Sequence, residues 1–478
     1  MRHKSLFIVV TCFSFLFSCN DDILDTKPLG QATIGELEVG GQEAQVFGLY
    51  GQFRTTAVGD WQRHWFGSIR SDDAAKGSSA TDSAENGTVF NSFQYAATNG
   101  LSTSWWNDHY KMIYACNEII NNIAEIDEPD SGTLINEGEA KAIRAFLYFE
   151  LRRDYGEVPI VTVTVSDPTD AIQAKSSVAD VDAFIKADLE FAIQYLPDTW
   201  PADYVGRATK GFALTMLAKL NLYQENWQDA LDYSQQVINS GLYSLDPSLE
   251  NLFGIGGNNG VESIFEIQQL VTESTNYASN YFGSQGVRGT GDWNLGWGFN
   301  VPTTELINAF EGGDDRYDVT ILTSGQDDGQ GNVLPQSPPL DQMYWNKKAY
   351  TDKALRNQYN MLYNRWENIK LERYADVILM AAEAANELGQ TGIAAGYVNQ
   401  IRSRAGLGNY TSSLTDAIKH ERRIEFALEG ERFYDLVRWG DATAVLGGLG
   451  YEPKNALFPI PQTAIDQSGG VLIQNPNY

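Results

Sequence analysis

The side chains that could do chemistry in this 478-residue chain are carboxylates and aromatic rings. Glu425 and Glu429 stand one helical turn apart in Glu421-Arg-Arg-Ile-Glu-Phe-Ala-Leu-Glu-Gly-Glu-Arg432, and two carboxylates across a cleft can hydrolyse a glycoside. The same stretch spaces Glu429 from Arg432 and Asp435 from Arg438 as intrahelical ion pairs, which makes structural salt bridges the expected role. Asp72-Asp73 and Asp314-Asp315 offer hard oxygen ligands of the kind calcium takes. Neither pair lies in a twelve-residue helix–loop–helix calcium loop, so solvated turn residues are expected there. His3, His64, His109 and His420 are widely spaced and make no His-Glu-x-x-His. Cys-x-x-Cys, Gly-x-Ser-x-Gly and phosphate-binding loops are also missing, and the run Gly254–Gly260 lacks Gly-x-Gly-x-x-Gly spacing and reads as a mobile loop. No catalytic residue, metal or cofactor is expected.

The rings carry more information. Trp293, Trp297 and Phe299 fall in a glycine-rich run from Gly289 to Asn300, shortly after Tyr277, Tyr281 and Phe282. Sugar rings present apolar C–H faces that stack on flat aromatic platforms while neighbouring polar groups take the hydroxyls. The other reading is that these rings fold back and staple the loop to the scaffold. Phe90, Phe93 and Tyr95, among Asn and Gln, form a second loop candidate. Trp105, Trp106 and Tyr110 precede an apolar helix, and Trp227 and Trp439 lie on helical stripes; all are expected in the core. Cys116, in an apolar helical stretch, reads as an inert buried thiol.

The elements that must position these groups are mostly helical. Ala140, Ile143, Leu147 and Leu151 line one face of a helix that stops near Tyr155-Gly156, with Pro159 beyond. Ala213, Met216, Leu217, Leu220 and Tyr223 make a second stripe, which breaks at Glu225-Asn226 and resumes from Trp227 to Ile238. So short a turn forces two antiparallel helices. Tyr374 to Leu388 and residues 393–404 repeat the arrangement, with alanines on the facing sides. Such pairs look like degenerate tetratricopeptide units. The fold class expected is mainly α: a tetratricopeptide-like helical-hairpin scaffold with a loop-rich, irregular ligand-binding half. Helical pairs are placed near 102–156, 180–240 and 369–445, and the insertion near 241–348, with a strand-like Ser263–Gln268 and a long exposed loop at 324–340.

Composition and the N-terminus bear on location. With 34 Lys+Arg against 62 Asp+Glu the net charge is −28, which argues against a nucleic-acid partner. Arg2, His3 and Lys4 precede an apolar run from Leu6 to Phe17, too short to span a bilayer and of secretory signal length. Residues 1–18 read as a signal peptide, and Leu16-Phe17-Ser18-Cys19 resembles a lipobox in which Cys19 takes the lipid. Residues 19–36 then form a lipidated tether and 37–478 a single domain. Acidic residues after the acylated cysteine look like an export signal to the outer leaflet.

Taken in order, several segments resemble the SusD/RagB family over nearly the whole mature chain. They are Cys19-Asn-Asp-Asp-Ile-Leu-Asp, Ser71-Asp-Asp-Ala, the helix from Glu139 to Pro159, Arg373-Tyr-Ala-Asp-Val-Ile-Leu-Met, Ile401-Arg-Ser-Arg-Ala-Gly-Leu, Glu421-Arg-Arg-Ile-Glu-Phe, Gly430-Glu-Arg-Phe-Tyr-Asp-Leu-Val-Arg-Trp-Gly and Leu457-Phe-Pro-Ile-Pro. The resemblance implies a non-catalytic lipoprotein on the outer face of the outer membrane, lidding a SusC-like TonB-dependent barrel and passing it a captured glycan. Some relatives take peptides instead. By position in the chain, the implied ligand-binding residues are Asp72, Asp73, Phe93, Tyr95, Tyr281, Trp293 and Trp297. A helical glycoside hydrolase and a purely structural docking protein are the rival readings.

Overall fold

The computed structural model describes residues 41–164, 167, 169, 172–272, 276–338, 340–351, 353–361, 363 and 366–478. The signal peptide, Cys19 and the tether therefore lie outside the described residues. Ten helices form the scaffold: α1 (Gln42–Phe53), α2 (Gly100–Ala124), α3 (Ser131–Tyr155), α4 (Val178–Tyr195), α5 (Lys210–Tyr223), α6 (Trp227–Ser240), α7 (Tyr374–Glu387), α8 (Thr391–Arg404), α9 (Leu414–Glu425) and α10 (Arg432–Arg438). Their starts follow from local chemistry. The side chains of Asn99, Asp130, Ser177, Thr209 and Ser413 each accept a hydrogen bond from a backbone N–H in the first turn of α2, α3, α4, α5 and α9. Gly156 (φ 75°) ends α3 and Gly241 (φ 68°) ends α6, in backbone conformations where a side chain would be strained.

From α2 to α9 each helix packs on the next, so the hairpins stack into one continuous array. Buried Ala381, Ala384 and Ala385 lie on α7, which packs against α6, α8 and α9; such small side chains let helices approach closely. α5 is buried nearly all round, as a helix at the centre of such an array must be. Among the described residues no helix is long and apolar enough to cross a membrane.

Because α6 and α7 touch directly, the 133 residues between them leave the array and return. They carry short antiparallel strand pairs: β2 (Ser263–Ile267) with β6 (Ile369–Arg373), and β4 (Ile321–Thr323) with β5 (Tyr344–Asn346), while β3 (Phe299–Pro302) pairs with β1 (Ala74–Gly77) from the N-terminal part. This half has its own small core of Val287, Leu295, Val301, Leu322, Leu334, Leu340, Trp345 and Tyr350. Two loop expectations are corrected by it. Residues 324–340 are not a wholly exposed loop, because Leu334 and Leu340 anchor them in that core and the buried Asp328 accepts from the Tyr350 hydroxyl at 2.7 Å. The Gly254–Gly260 run is pinned: Asn258 donates to the Trp366 carbonyl at 2.9 Å and Lys370 donates to the Gly257 carbonyl at 3.1 Å.

The two halves meet in a buried network of ions. Arg373, at the junction of β6 and α7, donates to Glu262 (2.8 Å), Glu425 (2.6 Å) and Glu429 (2.8 Å), and also to the Glu425 carbonyl (2.8 Å). Arg404 binds Glu262 at 2.8 Å and also Glu425; Lys348 binds Glu429 at 2.6 Å; Arg316 reaches Glu421 at 2.8 Å. Arg316 also forks onto Asp314, at 2.9 and 2.8 Å, so Asp314 is a buried ion-pair partner and not a solvated turn residue. The expected Asp435–Arg438 pair is present at 2.8 Å. A Glu429–Arg432 pair is not formed, because the chain is not helical between Glu425 and Arg432. Leu428 (φ 65°) and Gly430 (φ 100°) turn it, sending Glu429 to Arg373 and Arg432 to Asp72.

Burial alone would raise Glu425, but Arg404, Arg373 and Arg316 overcome it and hold the carboxyl well below its ordinary value. Burial opposes the same shift in Glu429, which Arg373 and Lys348 hold low. A carboxyl depressed in the folded state contributes stability above its unfolded pKa and loses it as pH falls through the folded value. Arg373→Met should therefore cost about 3–5 kcal/mol in denaturant unfolding at pH 7, because it strands buried carboxylates. The gap between wild type and variant should narrow steadily as the pH is lowered from about 5; an equal gap at pH 7 and pH 4 would contradict this account of the network.

Candidate functional site

The aromatic residues singled out by sequence divide among three places. Trp297 with Trp61, and Tyr281 with Phe282, form two ring pairs, all four residues half-buried and packed on the main core. Trp61 and Trp297 meet edge to face with centroids 6.0 Å apart, and Tyr281 and Phe282 do so at 5.1 Å. Tyr281 also lies edge-on to His64 at 6.3 Å. Tyr277, four residues earlier, is 41% exposed, with the Arg54 guanidinium 5.8 Å from its ring centre.

Backbone contacts hold this group in place. Tyr281 and Phe282 open a short helix, Tyr281–Gln285, preceded by Asn280, whose N–H donates to Asp60 Oδ1 at 2.6 Å. That bond ties the helix to the loop carrying Trp61. The Trp297 N–H donates to the Gly283 carbonyl at 3.1 Å. A Cβ at Gly286 would stand 2.2 Å from the Leu295 carbonyl oxygen, and one at Gly296 would stand 2.4 Å from that of Gly283. The glycine-rich run is thus two backbone segments pressed together, which fixes the direction of Trp297 without a long element of its own. Behind the rings, Tyr281, Phe282, Gln285, Asn346, Lys348 and Glu429 border a cavity of about 50 Å³.

The remaining candidates are placed elsewhere. Trp293 ends a 3₁₀ turn, Gly291–Trp293, and packs on the small core of the loop half. Phe93 is only 4% exposed, stacked toward Phe433 at 6.2 Å and edge-on to Tyr451 at 5.3 Å. Tyr95 stacks on Phe458 at 4.2 Å. Both rings staple the loop after β1 to the C-terminal segment, and the structure does not bring them to Trp297. Asp72 is held by Arg432 (2.9 and 3.0 Å) and Arg423 (3.0 Å), and buried Asp73 by Arg423 at 2.6 Å. These carboxylates are neither solvated turn residues nor free ligands; they clamp the N-terminal part onto α9 and α10.

Trp61 was missed by the sequence reading. The signal lay in Gly59-Asp-Trp-Gln62: a tryptophan off any helical stripe, among polar and glycine neighbours, as for Trp293 and Trp297.

Catalytic arrangements find little support in the geometry. Glu425 is buried among three arginines and kept ionised, so it cannot serve as a general acid, which needs a raised pKa. His64 lies beside the platform, but burial pulls it down to about 3 and leaves it neutral. Glu311, His420 and Glu421 converge, yet Arg402 lies 2.6 Å from both carboxylates, which meets their charge without a metal.

Comparison with known proteins agrees with the fold. Residues 261–456 match the family described as "SusD family", and residues 53–222 match "Starch-binding associating with outer membrane". The SusD-like protein P2 of Formosa agariphila is 29% identical over 432 residues, covering 81% of this chain and 83% of its own length. A solved "Laminarin binding SusD-like protein" superposes with TM-score 0.78 at 29% identity, over 91% of this chain and 99% of the other. Surface glycan-binding protein A from Bacteroides thetaiotaomicron, solved with laminarihexaose, superposes with TM-score 0.77 over 91% of this chain and 98–99% of the solved chains, and at 24% identity it shares the fold. The stacked helical hairpins, the loop half inserted between α6 and α7 and these matches together place the chain in the SusD/RagB-like family.

Proposed function

We propose that this protein is a binding protein that captures a glycan at the cell surface on the platform of Trp61, Trp297, Tyr281 and Phe282. The observation that carries the reading is the Trp61–Trp297 pair, half-buried and pinned by backbone bonds on a loop surface. Rings so held lose little freedom on meeting a sugar face, and lost freedom is a main cost of binding. Membership of a family whose description includes starch binding at the outer membrane supports the ligand class, as does the laminarin-binding relative. A neutral β-glucan such as laminarin is the first ligand to test. The chain is held at the outer membrane by lipid on Cys19, with a SusC-like TonB-dependent barrel as the recipient of the glycan, and it binds without cleaving.

Isothermal titration of the protein truncated after Cys19, against laminarin oligosaccharides, starch and a peptide digest, tests this directly. Saturable glycan binding is expected, with products unchanged on chromatography of the same mixtures. Trp61→Ala with Trp297→Ala should weaken it by tenfold or more, about 1.4 kcal/mol. Unchanged affinity in that double variant removes the platform, and peptide binding alone would replace the glycan reading. Asp72→Asn should behave in the opposite way, lowering the melting temperature by about 2–4 °C while leaving glycan affinity within about twofold.

A further inference from the structure

We propose that Asp108 and Arg63 are positioning residues for Trp61: they tie its loop to α2 and α3 in the pose that meets the glycan, without touching the glycan themselves. The proposal rests on the capture reading above and adds residues that set its strength. Trp61 lies among residues 54–64, between the end of α1 and a single π-helical turn, Trp65–Ile69. The bonds inside this segment are isolated turns, such as the Gly59 N–H to the Thr56 carbonyl at 3.2 Å and the Arg63 N–H to the Asp60 carbonyl at 3.0 Å. A loop of that kind keeps one shape when neighbouring elements satisfy its backbone.

Two adjacent residues of the loop are held by side chains. The Ala57 N–H donates to Asp108 Oδ2, on α2, at 2.7 Å. The Val58 carbonyl accepts from Arg63 Nη1 at 3.0 Å, while Arg63 Nη2 donates to Glu150 Oε1, on α3, at 2.7 Å. Ala57 and Val58 are 1% and 0% exposed, so bulk water does not compete for either bond. The forked guanidinium thus bridges loop and helix with two nitrogens, a task that suits arginine better than lysine. His109 Nε2 and Arg153 also lie 3.1 and 3.3 Å from Glu150, so this anchor keeps charge partners when Arg63 is replaced.

These bonds reach Trp61 because little slack separates it from them. Trp61 follows Val58 by three residues, and Gly59 between them is pressed onto the end of α1: a Cβ there would stand 2.3 Å from the Phe53 carbonyl oxygen. Asp60, next to Trp61, is tied to the Asn280 N–H. Tyr281, of the other ring pair, borders one small cavity together with Arg63 and Glu150. Loosening Ala57 or Val58 lets the loop take poses in which Trp61 no longer meets Trp297. Apparent affinity then falls in proportion to the fraction of molecules still in the competent pose.

The test is fluorine NMR of the 5-fluorotryptophan protein truncated after Cys19, with the Trp61 resonance assigned by Trp61→Phe, followed by titration with laminarihexaose. In Asp108→Ala and in Arg63→Met the Trp61 resonance should shift or broaden before any sugar is added, and affinity should fall fivefold or more. Arg152→Met is the control: it removes the 2.9 Å pair with Asp182 elsewhere on α3, and should lower the melting temperature while leaving the Trp61 resonance in place and affinity within twofold. A Trp61 resonance unmoved in both variants overturns the proposal. So does an affinity unchanged in both, or a loss as large in Arg152→Met, which would mark a general effect of stability. If the wild type binds no laminarihexaose, starch or peptide, the capture reading fails by itself, and the resonance recorded without ligand still decides whether Asp108 and Arg63 hold Trp61.

Discussion

The constraint on which the rest of the structure depends is the pairing of buried carboxylates with arginines around Arg373. Removing charges from water costs several kcal/mol per ion, and the interior returns that only when every lone pair and proton finds a partner. Arg373 meets that condition by using its whole guanidinium, and the ring of Phe426 lies 4.4 Å beneath it. Its partners come from chain segments far apart: Glu262 from the start of the insertion, Glu425 from the end of α9 and Glu429 from the turn beyond. A near miss in any of these segments leaves a stranded charge. Removing one member of such a network is therefore costly, about 3–5 kcal/mol, whereas a core tolerates volume-conserving exchange.

That junction is what allows a loop-rich half to hold a precise surface. The insertion leaves α6 and re-enters at β6, and Glu262 and Arg373 stand at its two ends, so its entry and exit are clamped to each other. From there the order passes outward through progressively weaker devices. The β2–β6 ladder carries a cross-strand Glu266–Lys370 pair at 3.0 Å, the small core around Trp345 comes next, and single backbone bonds to Asp60 and Gly283 fix the rings last. The rings of the proposed site therefore sit at the end of a chain of supports whose first member is electrostatic.

The helical array was legible because its signal is local. A 3.6-residue stripe, a capping side chain and a terminal glycine are read within one element, and the hairpins at 210–240 and 374–404 follow from them. Partners brought together by the fold were not. Asp72 and Asp73 look like any acidic turn until Arg423 and Arg432 arrive from more than 300 residues away. The spacing of Glu429 and Arg432 matches a helical ion pair, but positive φ at Leu428 and Gly430 breaks the helix between them, and glycine content alone does not reveal that. Tryptophans were ambiguous for a related reason: periodicity says which face of a helix is apolar, not whether the neighbouring element covers it. Trp105 is covered; Trp227 and Trp439 are not fully so.

The interior ion pairs also decide what the outside of the molecule looks like from a distance. Arg70, Arg144, Arg207, Arg316, Arg373, Arg402 and Arg422 are all buried, each matched one or more times by carboxylates inside. Pairs of this kind withdraw acids along with bases, so in a chain with 34 basic residues against 62 acidic ones the excess of acids is left to the exterior. Its field extends beyond contact by about a Debye length, ~8–10 Å at ordinary ionic strength. An anionic polymer meets that field before contact and a neutral one does not, and the difference shrinks as added salt shortens the screening length.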